Sequence, residues 1–169
     1  GVQRGVDFLA ADHQKTIAEQ IAINEVPAPP FQEQERARFY REKLTALGLS
    51  EVGEDQEGNV FGVFKGTGDG PRLFVSAHLD TVFAADHPFQ TLKWLEPGVL
   101  NGPGTADMKA GLSVILAALT ALEASPLAAR IGYDVMVNSD EETGSHASAA
   151  LIAELAKGKT AALTYEPAL

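Results

Sequence analysis

The sequence contains no cysteine, which removes a disulfide framework and any thiolate metal site at once. A metal bound here would have to be held by His, Asp and Glu. Basic residues are also scarce: 13 Lys and Arg stand against 23 Asp and Glu, a formal net charge of -10. That balance excludes a nucleic-acid surface, because phosphate neutralisation needs clustered Lys and Arg. Long apolar runs are missing too. The most apolar stretch, Ala110 to Leu122, is too short to span a bilayer and carries Ser113 and Thr120, so it reads as a buried helix and no membrane partner is expected. No basic-then-apolar leader opens the chain, which points to a cytoplasmic protein, and Gly1 in place of Met suggests a trimmed terminus.

What is present is an ordinary globular composition, 45% hydrophobic and 21% charged over 169 residues, enough for one domain with a buried core. Helical spacing of Phe8, Leu9, Ile17, Ile21 and Ile23 predicts a first helix from Val6 to Glu25, ending before Pro27, Pro29 and Pro30. A second helix is predicted from Gln32 to about Leu47, capped by Gly48, with its Arg and Glu residues on a solvated face. Asn59–Lys65 and Arg72–Ala77 are rich in Val and Phe and flank Gly66-Thr67-Gly68-Asp69-Gly70, which reads as a hairpin. A helix from Met108 to Ala124, a strand from Ile131 to Asn138, a helix from Ser148 to Lys157 and a strand from Thr160 to Tyr165 follow. This order predicts a three-layer α/β/α domain around a mixed central sheet.

The acids and one histidine fall where those strands end. His78-Leu79-Asp80 closes an apolar strand. A lone His there is ordinarily structural, but an Asp two residues on is placed to take the second N–H of a metal-bound imidazole. Gly102-Pro103-Gly104-Thr105-Ala106-Asp107 delivers a carboxylate to the start of a helix, where it is either an N-cap or a ligand; the glycine spacing fits neither a dinucleotide fingerprint nor a P-loop. Asp140-Glu141-Glu142-Thr143-Gly144 crowds acids after a strand, an arrangement that costs repulsion unless cations or pKa shifts relieve it. Glu166 closes the last strand. In open α/β sheets that edge is where ligands bind.

With these four motifs in this order, the chain resembles the M20 metallopeptidases, a family that includes carboxypeptidases, aminoacylases, desuccinylases and small peptidases. The resemblance implies a co-catalytic pair of zinc ions, with Co²⁺ or Mn²⁺ as alternatives because N and O donors discriminate weakly between them. It implies Asp107 as the bridge between the metals, His78 and Glu166 completing one site, and Glu142 serving the second. Asp80 would orient His78, and Glu141 would be the general base. The implied reaction is cleavage of an amide bond in a small peptide or N-acyl amino acid, and a Glu at position 166 leans toward carboxypeptidase or acyl-amino-acid chemistry. Members of the family also carry a late His ligand and an inserted lid domain, through which they can dimerise. Neither is found here, and His13, His87 and His146 lie outside the late motif. The chain is therefore expected to be the N-terminal portion of a longer catalytic domain and inactive alone. A non-catalytic metal-binding module derived from such an enzyme is the alternative.

Overall fold

The structure is a computed structural model that describes residues 2–64, 66 and 70–167. Two helices open the chain, α1 (Val2–Ala11) and α2 (His13–Glu25), followed by α3 (Gln34–Ala46) and the short strand β1 (Ser50–Glu54). Strands β2 (Val60–Phe64) and β3 (Arg72–His78) come next, then β4 (Lys93–Glu96) and β5 (Val99–Asn101). Helix α4 (Gly111–Glu123), strand β6 (Gly132–Asn138), helix α5 (Ala149–Ala156) and strand β7 (Ala161–Thr164) complete it. The main sheet is five-stranded and mixed, in the order β1-β2-β6-β3-β7, while β4 and β5 form a separate two-stranded sheet.

Side-chain alternation sorts the sheet into two faces. Val75 and Ala77 of β3 and Tyr133, Val135 and Val137 of β6 point toward Ala37, Tyr40 and Leu44 of α3 and Leu112, Ile115 and Leu119 of α4, forming the main core. The intervening residues Phe74 and Met136 are also buried. On their face Asn138 donates to Ser148 at the start of α5, which contacts β3. Helices therefore flank the sheet on both sides, as the order of elements predicts. Thr105–Glu123 is long and apolar enough by composition to cross a membrane. Its buried Leu112, Ile115, Leu116 and Leu119 make it a core helix of this domain.

Four expectations are corrected. The predicted hairpin does not form, because β6 lies between its two strands, antiparallel to β2 and parallel to β3. All seven residues of β6 are buried, so this strand needs a partner on each edge and takes both. Of the turn read between those strands, residues 67–69 lie outside the described residues, as does Lys65 at the end of the first. The single first helix is two, broken at Asp12, whose backbone (φ -93°, ψ 6°) leaves the helical region. Arg36 of α3, expected on a solvated face, is 1% exposed. Its guanidinium spans the gap to Val26 O (2.8 and 3.2 Å) and Leu79 O (2.5 Å), tying α3 to both chain segments beside the sheet edge. Finally, β4 and β5 lie between the second predicted strand and the helix from Met108, where the sequence predicts no element. Pro97 and Gly98 (φ 85°) supply the fixed and the left-handed positions of the tight turn between them.

Candidate metal centre

Strands β3, β6 and β7 run parallel, with His78 in register with Asn138 and Ser76 with Thr164. Their carboxyl ends therefore open on the same edge of the sheet. The next residues of each strand, 78–80, 139–142 and 165–166, are delivered to one place.

His78 is 1% exposed and is held between two carboxylates. Its Nδ1 lies 3.1 Å from the Asp80 backbone carbonyl and 3.2 Å from Asp80 Oδ1, and its Nε2 lies 3.0 Å from Asp107 Oδ1, 3.7 Å from Glu166 Oε2 and 3.8 Å from Glu141 Oε2. One ring nitrogen thus faces a single buried acid and the other faces a group of partly exposed acids. Burial alone would lower the proton affinity of this imidazole. Asp80, by hydrogen bond and charge, with Glu166 and Glu141, overrides that and raises its pKa from 6.5 to about 9.

Asp107 arrives by a different route. It sits in a π-type turn, Thr105–Ala110, where its own backbone (φ -106°, ψ 100°) and that of Met108 (φ -126°, ψ 40°) are not helical, and the peptide between them is cis. No side chain caps this turn or α4, so the N-cap alternative for Asp107 is set aside. The loop is pinned from α2, where Asn24 donates to Thr105 Oγ1 (3.1 Å) and Gln20 to Thr105 O (3.1 Å). Gly104 has φ 62°, and a Cβ there would come within 2.6 Å of both Asp107 O and Thr81 Cγ2. Only glycine allows the two segments to approach so closely.

The three successive acids after β6 do three different things. Asp140 turns away from the cluster and accepts hydrogen bonds from the Ala147 (2.8 Å) and Ser148 (3.3 Å) amides, the Ser148 hydroxyl and Asn138 Nδ2 (3.3 Å). Burial raises its pKa, but these donors outweigh it and hold it below the ordinary value. Glu141 and Glu142 lie on the short turn that follows, and both their backbone N–H groups donate to Asp80, to Oδ1 at 3.2 Å and Oδ2 at 2.9 Å. Asp80, 2% exposed, therefore grips the imidazole and the acidic turn together. Burial and the charges of Asp107, Asp80 and Glu141 push the Glu142 carboxyl up, against His78. Glu166 follows the Tyr165 amide, which donates to Ser76 O at 2.9 Å and extends the edge strand. Burial raises its pKa as well, followed by Glu141, Asp107 and Asp80, with His78 opposing.

His78, Asp107 and Glu166 each offer one ligand atom within 4.8 Å of the others. The donor set is one imidazole and two carboxylates, which suits zinc, and the ring nitrogen opposite the cluster is already committed to Asp80. Crowded, raised carboxyls are what a divalent cation would relieve. The residues present fit one metal ion. Glu141 and Glu142 border the same group, whereas His13, His87 and His146 belong to no metal-capable cluster among the described residues. Sequence reading passed over Gln20, Asn24 and the cage around Asp140, since isolated Gln, Asn and Ser carry no spacing signal.

Fold and site together define an α/β protein with a histidine–carboxylate metal site at the carboxyl edge of its sheet. The chain belongs to peptidase family M20/M25/M40, whose pattern it matches over residues 74–167. Carboxypeptidase G2 of Pseudomonas sp. strain RS-16 is 35% identical over 138 residues, covering 76% of this chain and 32% of that protein. Succinyl-diaminopimelate desuccinylase of Corynebacterium glutamicum is 32% identical over 102 residues, covering 60% of this chain and 27% of that protein. The dipeptidase Dug1p of Saccharomyces cerevisiae shares the fold, with a TM-score of 0.79 at 15% identity over 98% of this chain and 41% of that one. This chain thus spans about a third or less of the length of these two curated relatives.

Proposed function

We propose that this chain carries the metal-binding half of a co-catalytic zinc hydrolase that cleaves the amide bond of a small peptide or N-acyl amino acid. The observation that carries the reading is the convergence of His78 Nε2, Asp107 and Glu166 on one point, with Asp80 behind the imidazole. Zinc held by these residues would supply Lewis-acid chemistry, lowering the pKa of a water and polarising a carbonyl. In this reading Asp107, half-exposed beside His78 and near enough to Glu142 to act on its carboxyl, would serve a second metal site together with Glu142. The M20 lineage and two relatives named as a carboxypeptidase and a desuccinylase support an amide substrate that is small.

Glu141 is the proposed general base. Its carboxylate reaches to 3.8 Å from His78 Nε2 while staying partly open to solvent, so it can take a proton from the attacking water and return it to the leaving amine. Asp80 holds that residue's backbone, which keeps the base directed at the cluster without itself joining the proton transfer. Comparison of Glu141→Gln with wild type in the zinc-loaded full-length protein, assayed on N-acyl amino acids and short peptides, tests the assignment. Turnover should fall about 10²–10⁴-fold with zinc content unchanged. Wild-type turnover in the variant would remove Glu141 from the role.

A further inference from the structure

A cavity of about 570 Å³ is lined by none of His78, Asp107 and Glu166. Two of its lining side chains are cations taken almost wholly out of water, Arg36 at 1% and Lys109 at 2% exposure. The rest is largely apolar, with Phe83, Leu92, Pro27 and Pro103 on its walls. The cluster is close by, because Lys109 follows Asp107 by two residues and Gly104 packs between Asp107 O and the Lys109 stem.

Buried charges are ordinarily paired. Arg36 has Glu33 and Asp80 near enough to act on it. Lys109 has no such neighbour: burial, and after it the repulsion of Arg36, lowers its pKa from 10.5 to about 7, so near neutral pH it is charged only in part. Its ammonium donates to Asn24 Oδ1 at 3.3 Å and to Pro103 O, and among the described residues no carboxylate reaches it. An ammonium has three donors. One remains for a ligand, on the edge of a cavity whose size suits a small molecule. Glu25, on the same lining, is exposed and stays solvated.

We propose that this cavity binds a small carboxylate carried on an apolar body, with the Lys109 ammonium as its charge partner and the Arg36 guanidinium as a second positive charge in the wall. The walls distinguish this ligand from a bare oxyanion: inorganic phosphate would meet the two cations but gain nothing from Phe83 and Leu92.

Hexanoate is a suitable probe, titrated into the EDTA-treated protein at fixed ionic strength and followed by amide chemical shifts. Hexanamide and inorganic phosphate serve as comparisons. Hexanoate should shift the amides of Asn24, Leu92 and Lys109 saturably, with hexanamide and phosphate each at least about tenfold weaker. Lys109→Met, which keeps the volume and removes the charge, should weaken hexanoate at least about tenfold with an unchanged far-UV spectrum. Should that variant fail to fold, Leu92→Trp, which fills the cavity and leaves both cations, is expected to block binding. Equal binding of hexanamide, unchanged affinity in a folded Lys109→Met or in Leu92→Trp, or shifts confined to the metal cluster would each overturn the proposal.

Discussion

Asp80→Asn is the substitution that loads most on the site's architecture. The Asp80 carboxylate makes three contacts, to His78 Nδ1 at 3.2 Å and to the Glu141 and Glu142 amides at 3.2 and 2.9 Å. Asparagine keeps the shape but retains one acceptor oxygen, so at least one of these donors must face an NH₂ group. A hydrogen bond to a charged group contributes about 1.5–3 kcal/mol, and the buried N–H left over adds its own desolvation cost. The metal-free variant should therefore be destabilised by about 2–4 kcal/mol. The imidazole is affected as well: with burial still lowering its proton affinity and the Asp80 charge gone, His78 should titrate well below its value of about 9. Loss of this buried partner should weaken zinc about 10–100-fold. Chelator-competition titration measures the zinc affinity, and imidazole NMR signals measure the titration. Zinc affinity within about threefold of wild type, with His78 titrating unchanged, would refute the reasoning.

Two further predictions concern protons and packing. His78 binds its proton more tightly folded (about 9) than at its ordinary value of 6.5, so the stability it gives is full below 6.5 and is lost as pH rises through 9. In EDTA, urea unfolding should therefore show stability falling across that window, and saturating zinc, which displaces the proton, should remove the fall; a metal-free protein that gains stability from pH 6.5 to 9 would contradict this. Gly104→Ala places a Cβ 2.6 Å from Asp107 O and from Thr81 Cγ2 at φ 62°, so it should cost about 1–3 kcal/mol and weaken zinc by moving Asp107. Thermal melts and zinc titration check both effects, and a neutral result would mean the loop is not fixed by that approach.

Much of the site was legible because metal chemistry leaves short, local signs. His78-Leu79-Asp80 at the end of an apolar run and Glu141-Glu142 after β6 announce themselves, and the parallel register of β3, β6 and β7 turns those separate signs into one cluster. Less legible were interactions whose partners are far apart in sequence. Nothing local told that β6 would insert between β2 and β3, since strand order is set by the burial of β6 on both edges. Arg36 looked like one more charge on a polar helix, and only the carbonyls of Val26 and Leu79 show why it is inside. Asp140 read as a third candidate in an acidic run, yet the Ser148 and Asn138 donors turn it into the staple of the turn. Strand β1, Ser50-Glu51-Val52-Gly53-Glu54, has too little β character of its own and forms by pairing with β2.

The claim on which the account rests is that His78, Asp107 and Glu166 hold a metal ion. Zinc titrated into the wild-type protein and into His78→Ala and His13→Ala variants tests it most directly. Saturable zinc binding is expected in wild type and in His13→Ala, weakened more than about 100-fold in His78→Ala, because losing a ligand costs more than losing its outer partner. Equal zinc binding in His78→Ala and wild type would contradict it.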